Sequence, residues 1–151
     1  MSAAVTVPNN FFARLEDRSR DINSLLCVGL DPHPAELGSP EEQTAEAAAV
    51  FCERIIKATS AVAAAYKPNA AFFEAYGAPG VAALERVIAA VPKGIPVLLD
   101  AKRGDIGSTA AAYAAAAFEH LQVIVVTRHK IRTSGYRRAL IPWRQELSSL
   151  C

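Results

Sequence analysis

Cysteine is scarce. Only Cys27, Cys52 and Cys151 occur, odd in number and widely spaced. They fit neither a disulfide framework nor a zinc spacing, so a reducing compartment is expected. Long apolar runs are missing too: none approaches the ~18 residues that a membrane span needs. The opening MSAAVTVPNN lacks the basic start and apolar stretch of a secretory leader. Neither sign of charge dominates, since 16 Lys+Arg face 15 Asp+Glu, which leaves no global pull toward nucleic acid or anionic lipid. With 8 glycines and 9 prolines the chain is not collagen-like. With 52% hydrophobic and 21% charged residues it is not a disordered polymer. What is present is 151 residues, enough for one domain with a real core. The expectation is a cytoplasmic protein with neither nucleic acid nor membrane as partner.

The averages conceal a seam. Residues 1–121 hold 10 Lys+Arg and 14 Asp+Glu, whereas residues 122–151 hold six basic residues (Arg128, Lys130, Arg132, Arg137, Arg138, Arg144) and one acid, Glu146. Of 30 alanines, 29 precede residue 122, and the only tryptophan, Trp143, follows it. The chain therefore divides into an acidic, Ala-rich part, 1–121, and a basic tail, 122–151. Such a shift marks a domain edge, an appended tail or a break in the reading frame. The tail, with Tyr136 and Trp143 interspersed, is read as a solvated segment rather than a nucleic-acid patch.

Strand-like and helix-like segments alternate along the first part. Leu25–Asp31 is a short apolar run closed by a carboxylate and prolines, the pattern of a buried strand. Ser39-Pro40-Glu41-Glu42 has the form of a capping box and predicts a helix opening there. Val62–Tyr66 is a second strand, Pro79–Val91 a helix, Pro96–Asp100 a third strand and Asp105–Leu121 a helix, with Val123–Thr127 as a candidate fourth strand. Repeated strand–helix units with strands apolar throughout imply a parallel sheet covered by helices. Each strand ends in polar or charged residues: Asp31, then Lys67 and Asn69, then Asp100 and Lys102. Ligands of α/β sheets and barrels sit at that end of the strands, which makes this rim the candidate site.

The densest signal is Asp100-Ala101-Lys102-Arg103-Gly104-Asp105. Residues two apart on an extended backbone point the same way, so Asp100 and Lys102 should project together. Gly104 allows a turn, Asp105 follows it, and Lys67 comes from the neighbouring strand. Two ammoniums interleaved with two carboxylates favour the ionised form of each. An ammonium held beside a carboxylate is a positioned proton donor. An isolated D-x-K-x-x-D is more often a structural ion-pair cluster or a solvated loop; its place after a buried strand, beside two similarly ended strands, favours the functional reading. Cys27 and Cys52 are read as core, Phe72 and Phe73 as packing, and His33 as a loop residue. Gly104 and Gly107 flank a helix start where a ligand can come close.

At these residues the sequence resembles orotidine 5'-phosphate decarboxylase of the bacterial-type branch, also found in some fused UMP synthases. The resemblance rests on Leu26-Cys-Val-Gly-Leu-Asp-Pro-His33, Tyr66-Lys-Pro-Asn-Ala-Ala-Phe-Phe-Glu74 and Leu99-Asp-Ala-Lys-Arg-Gly-Asp-Ile-Gly-Ser-Thr109, and runs from about Phe11 to about Leu121. It implies a homodimeric (β/α)8 barrel that converts orotidine 5'-phosphate to UMP without metal or organic cofactor. This chain would be the N-terminal half of such a barrel, three to four βα units. By resemblance Lys102 protonates C6, Asp100 lies against the substrate carboxylate, Lys67 completes the array and touches the ribose, and Asp31 binds ribose hydroxyls. Asp105, Ile106 and Thr109 reach the neighbouring subunit's site, and Asn69 has a supporting role. Fusion to, or association with, an orotate phosphoribosyltransferase is a further implication.

Past Leu121 no motif of the family is legible. The phosphate site of such barrels comes from loops after strands 7–8, so this chain by itself is expected to have little activity. It should also expose sheet edges and apolar faces and associate readily. Two other functions fit parts of the pattern. One is another sugar-phosphate lyase or aldolase of the same superfamily, against which the Tyr66–Glu74 block speaks. The other is a non-catalytic half-barrel that pairs with a second chain.

Overall fold

The computed structural model describes residues 11–103, 105–123 and 125–128. Gly104 and most of the basic tail, with Tyr136, Trp143 and Cys151, lie outside the described residues. The order is α1 (Phe11–Ile22), β1 (Leu26–Leu30), α2 (Ala45–Thr59), β2 (Ala63–Pro68), α3 (Ala70–Glu74), α4 (Ala78–Ala90), β3 (Leu98–Arg103), α5 (Gly107–Ala114) and β4 (Val125–Arg128).

The strands run parallel and in chain order. β1 pairs with β2 in the register Cys27↔Ala65 and Gly29↔Lys67. β2 meets β3 through Tyr66↔Val97 and Asn69↔Asp100, and the Tyr66 N–H donates to the Pro96 carbonyl at 3.0 Å. β3 pairs with β4 through Leu98↔Val125 and Leu99↔Val126. Sequential parallel strands joined by helices are the opening of a (β/α)8 barrel. β4 lies beyond the compositional seam, so the seam is not an edge of the sheet.

The core lies between the sheet and α2 and α4. Leu30, Cys52, Ile56, Tyr66, Phe73, Leu84 and Val87 are all buried within it. The Tyr66 hydroxyl donates to the Ile56 carbonyl at 3.1 Å and lies 2.8 Å from Thr59 Oγ1, so burying it leaves no polar atom unpaired. Outside, Arg86 of α4 ties two acids of α2 together, reaching Glu46 at 2.8 Å and Glu53 at 2.7 Å. Among the described residues no helix is long and apolar enough to cross a membrane.

Several boundaries differ from the sequence expectation. The box at Ser39 forms, with its N–H donating to Glu42 Oε2 at 2.8 Å, but closes only the 3-10 turn Pro40–Glu42. α2 begins at Ala45, where Thr44 Oγ1 accepts the Ala47 N–H at 3.1 Å. Pro96 stands before β3, and the strand runs past the expected end at Asp100 through Lys102 and Arg103. The Asp105–Leu121 helix starts at Gly107 and widens to π geometry over Ala115–His120. α1 and α3 were not foreseen: α1 buries no residue fully, and α3 is five residues long.

Cys27 corrects a further expectation. Cys52 is buried as anticipated, but Cys27 is exposed. It opens onto a cleft of about 930 Å³ beneath α1, lined also by Phe11, Phe12, Leu15, Ala65 and Leu98. This cleft lies on the face of the sheet that shares the register of Gly29 and Lys67, the concave side of the partial barrel. Phe73 is buried, whereas Phe72 is half-buried with its ring 5.5 Å from that of exposed His33.

Candidate active site

Three strand ends deliver charged groups to the rim. Asp31 follows the last residue of β1, Lys67 lies in β2, and Asp100 and Lys102 lie in β3. Their side chains form a continuous chain of opposite charges. Lys67 Nζ lies 3.8 Å from Asp31 Oδ2 and 3.7 Å from Asp100 Oδ2, and Lys102 Nζ lies 2.6 Å from Asp100 Oδ1. Asp100 is the inner member, its side chain 16% exposed, while that of Lys102 is 57% exposed and faces the open rim.

Burial by itself would raise the Asp100 carboxyl. Hydrogen bonds from Lys102 and Thr127, with the charges of Lys102 and Lys67, outweigh it and hold the group below its ordinary value. Asp100 is therefore an anion at neutral pH. Asp31 Oδ1 is buried and has no hydrogen-bond partner among the described residues. An anionic oxygen in that state calls for a donor. The nearby Cys27 thiol is pushed up by burial, partly offset by the charge of Lys67, and burial pushes Cys52 up to about 12.

Asp100 and Lys102 converge by a different route from the alternation expected of a strand. Lys102 has φ +50°, the left-handed region that residues other than glycine rarely enter. Such a conformation costs about 1–3 kcal/mol and persists where its surroundings impose it, often at functional sites.

The second carboxylate of the array is Asp31, not Asp105. The Asp105 side chain turns onto its own neighbour, Oδ1 accepting the Ile106 N–H at 2.7 Å, and makes no ion pair with Lys102 among the described residues. Ile106 is 65% exposed, and Thr109 lies half-exposed on the first turn of α5. Asn69 bridges to Asp100 through its backbone, and its side-chain oxygen caps α3 by accepting the Ala71 N–H at 3.3 Å. Gly107 has nothing within 4 Å of where a Cβ would stand, so this chain sets no steric demand for glycine there.

One contributor was missed. Thr127 of β4 donates its hydroxyl to Asp100 Oδ1 at 2.7 Å and accepts the Lys102 N–H at 3.1 Å. The signal was available: Thr127 is the polar residue that ends the fourth apolar run, as Asp31 ends the first. Among the described residues no group of three His, Cys, Asp or Glu side chains could hold a metal ion.

A family model described as "Orotidine 5'-phosphate decarboxylase / HUMPS family" matches residues 24–145. The chain belongs to this family. The match runs beyond Leu121, past the last motif legible in the sequence, and so takes in β4 and Thr127. An orotidine 5'-phosphate decarboxylase from Herpetosiphon aurantiacus is 51% identical over 119 residues, covering 78% of this chain and 44% of the relative. A crystal structure of a candidate orotidine-monophosphate decarboxylase from Toxoplasma gondii superposes with a TM-score of 0.83 at 53% identity, covering 89% of this chain and 46% of that one. Leishmania donovani UMP synthase gives 0.77 at 50% identity, over 88% of this chain and 28% of that one. The chain thus spans a little under half the length of these decarboxylases, and its fold is the first part of the family's barrel.

Proposed function

We propose that this chain carries the N-terminal half of an active site that converts orotidine 5'-phosphate to UMP in pyrimidine biosynthesis. The observation that carries the reading is the unbroken array Asp31–Lys67–Asp100–Lys102 at the C-terminal ends of three neighbouring strands. Asp100, an anion pinned from several sides, lies against the substrate carboxylate. The bond from C6 to that carboxylate breaks, carbon dioxide leaves, and the electron pair left on C6 takes a proton from Lys102 Nζ. The amine so formed regains its proton from water. Exposure of the Lys102 ammonium at the rim and its contact with a permanent anion suit it to that transfer. Lys67 holds Asp31 and Asp100 apart and in place and touches the ribose. The unpartnered Asp31 Oδ1 suits a ribose hydroxyl, a donor that would satisfy it. Asn69 supports the rim by fixing the start of α3.

Asp105, Ile106 and Thr109 belong in this reading to the partner subunit's site in a cytoplasmic homodimer, which accords with the outward exposure of Ile106. A tie to orotate phosphoribosyltransferase, by fusion or association, accords with the likeness to a UMP synthase. No metal or organic cofactor is needed for the transfer as written. The test is Lys102→Ala in the chain extended by the missing half of the barrel. Decarboxylation should fall by several orders of magnitude while UMP still binds; turnover retained within tenfold defeats the assignment of Lys102.

A further inference from the structure

The pairing of β3 with β4 is irregular where the site begins. From Leu99 to Arg103, β3 advances four residues while β4 advances two, from Val126 to Arg128. Asp100, Ala101 and Lys102 therefore stand opposite the single residue Thr127, and β3 bulges by two residues. A bulge interrupts the ladder, bends the strand and re-aims side chains. Here Lys102 stands in the left-handed region. Thr127 Oγ1 accepts the Lys102 N–H at 3.1 Å and donates its own proton to Asp100 Oδ1 at 2.7 Å. One hydroxyl thus closes a bridge between the strained backbone of Lys102 and the carboxylate that Lys102 Nζ meets at 2.6 Å.

We infer that Thr127 is a positioning residue that holds the bulge closed and sets the geometry of the Asp100–Lys102 pair. Its relevance to proton transfer rests on the decarboxylase reading above; the bridge itself does not. The hydroxyl is used in both directions, and neither contact survives replacement by an isosteric apolar side chain. The groups that face Asp100 are Lys67 from β2, with Asp31 behind it just past β1, Lys102 on its own strand and Thr127 from β4. Thr127 is the uncharged member of that set, so its removal changes the hydrogen bonding of Asp100 and leaves every formal charge in place.

The test is a carbon-13 NMR titration of the Asp100 carboxyl in the 151-residue chain, with amide exchange at Lys102 followed in parallel. Thr127→Val should raise the Asp100 midpoint by about one pH unit, a tenfold change in its ionisation constant, and speed exchange of the Lys102 amide at least tenfold. Thr127→Ser keeps the hydroxyl and should restore both. If the valine form does not fold, Thr127→Cys, close in size but a weak donor and acceptor, must show an intermediate rise. A folded valine or cysteine form with the wild-type midpoint and wild-type Lys102 exchange overturns the inference, as does a serine form that behaves like valine. None of these measurements needs turnover, so a failure here is distinct from a failure of the extended chain to decarboxylate.

Discussion

Residue by residue, the site sets function against local stability. Lys102 occupies a backbone region that glycine enters freely and other residues do not. Lys102→Gly and Lys102→Ala both delete the ammonium, so their difference isolates the backbone. The glycine form should be more stable by about 1 kcal/mol, as read from urea midpoints, while both lack the proton donor. Equal stabilities would mean that the left-handed turn is not strained. Asp100 gives a pH signature. Its carboxyl lies below the ordinary value, so its contribution to stability is complete above ~pH 4. That contribution is lost as pH falls through the lower, folded-state value. Stability followed from pH 6 to pH 2 should therefore fall less steeply below pH 4 in Asp100→Asn than in the parent. Four of the five rim residues that touch one another were legible in the sequence, because each charged group ends or follows an apolar run. Thr127 was not, and Asp105 was given the place of Asp31. The place of Thr127 at the end of an apolar run is legible, but its contact with Asp100 depends on the register between β3 and β4. The turn of Asp105 onto the Ile106 N–H is a local loop contact that carries no sequence pattern.

At the scale of elements, the caps and close contacts decide where helices begin. Thr44 caps α2 through its side chain, whereas the Ser39 box closes only a 3-10 turn. Thr44→Ala should cost about 1 kcal/mol in denaturant unfolding, and Ser39→Ala a few tenths at most. A reversed order would place the start of the helix at the earlier signal after all. That earlier signal misled because a capping box satisfies one turn's donors whether or not a helix follows. The apolar periodicity of Ala48, Cys52 and Ile56 is what extends α2, and it begins after Thr44. Gly80 makes the matching point for α4. A glycine inside a helix ordinarily gains stability on change to alanine, but a Cβ here would stand 1.8 Å from the Phe73 carbonyl oxygen. Gly80→Ala should therefore destabilise, by about 1–3 kcal/mol, because α3 must be pushed off α4; a rise in the unfolding midpoint would contradict the packing. α3 and α1 escaped the sequence reading for a shared reason. A single turn carries no period to detect, and α1 lays a partly covered face over a cleft instead of sinking a stripe into the core.

For the whole molecule, fold class and strand order were legible because alternation of apolar runs with helical segments is a long-range pattern that survives errors at every boundary. Its extent was legible only through the family. Two parallel pairs, β1–β2 and β3–β4, joined by the bridges Tyr66↔Val97 and Asn69↔Asp100, are the opening of an eight-stranded ring, and this chain spans under half the length of the decarboxylases it matches. The 151-residue polypeptide should accordingly turn over orotidine 5'-phosphate at least a thousandfold more slowly than a full-length relative, and a comparable rate would refute the reading. The concave face has a consequence of its own. Cys27 opens onto it, while Cys52 is sealed in the core. In a Cys151→Ser background an alkylating reagent should therefore label one thiol, slowly at neutral pH because the Cys27 thiol is pushed up, and faster as pH rises. Once the remaining strands close the ring, that thiol falls inside it and labelling should stop. The sheet thus carries a built-in gauge of ring closure, readable by mass spectrometry without any assay of turnover.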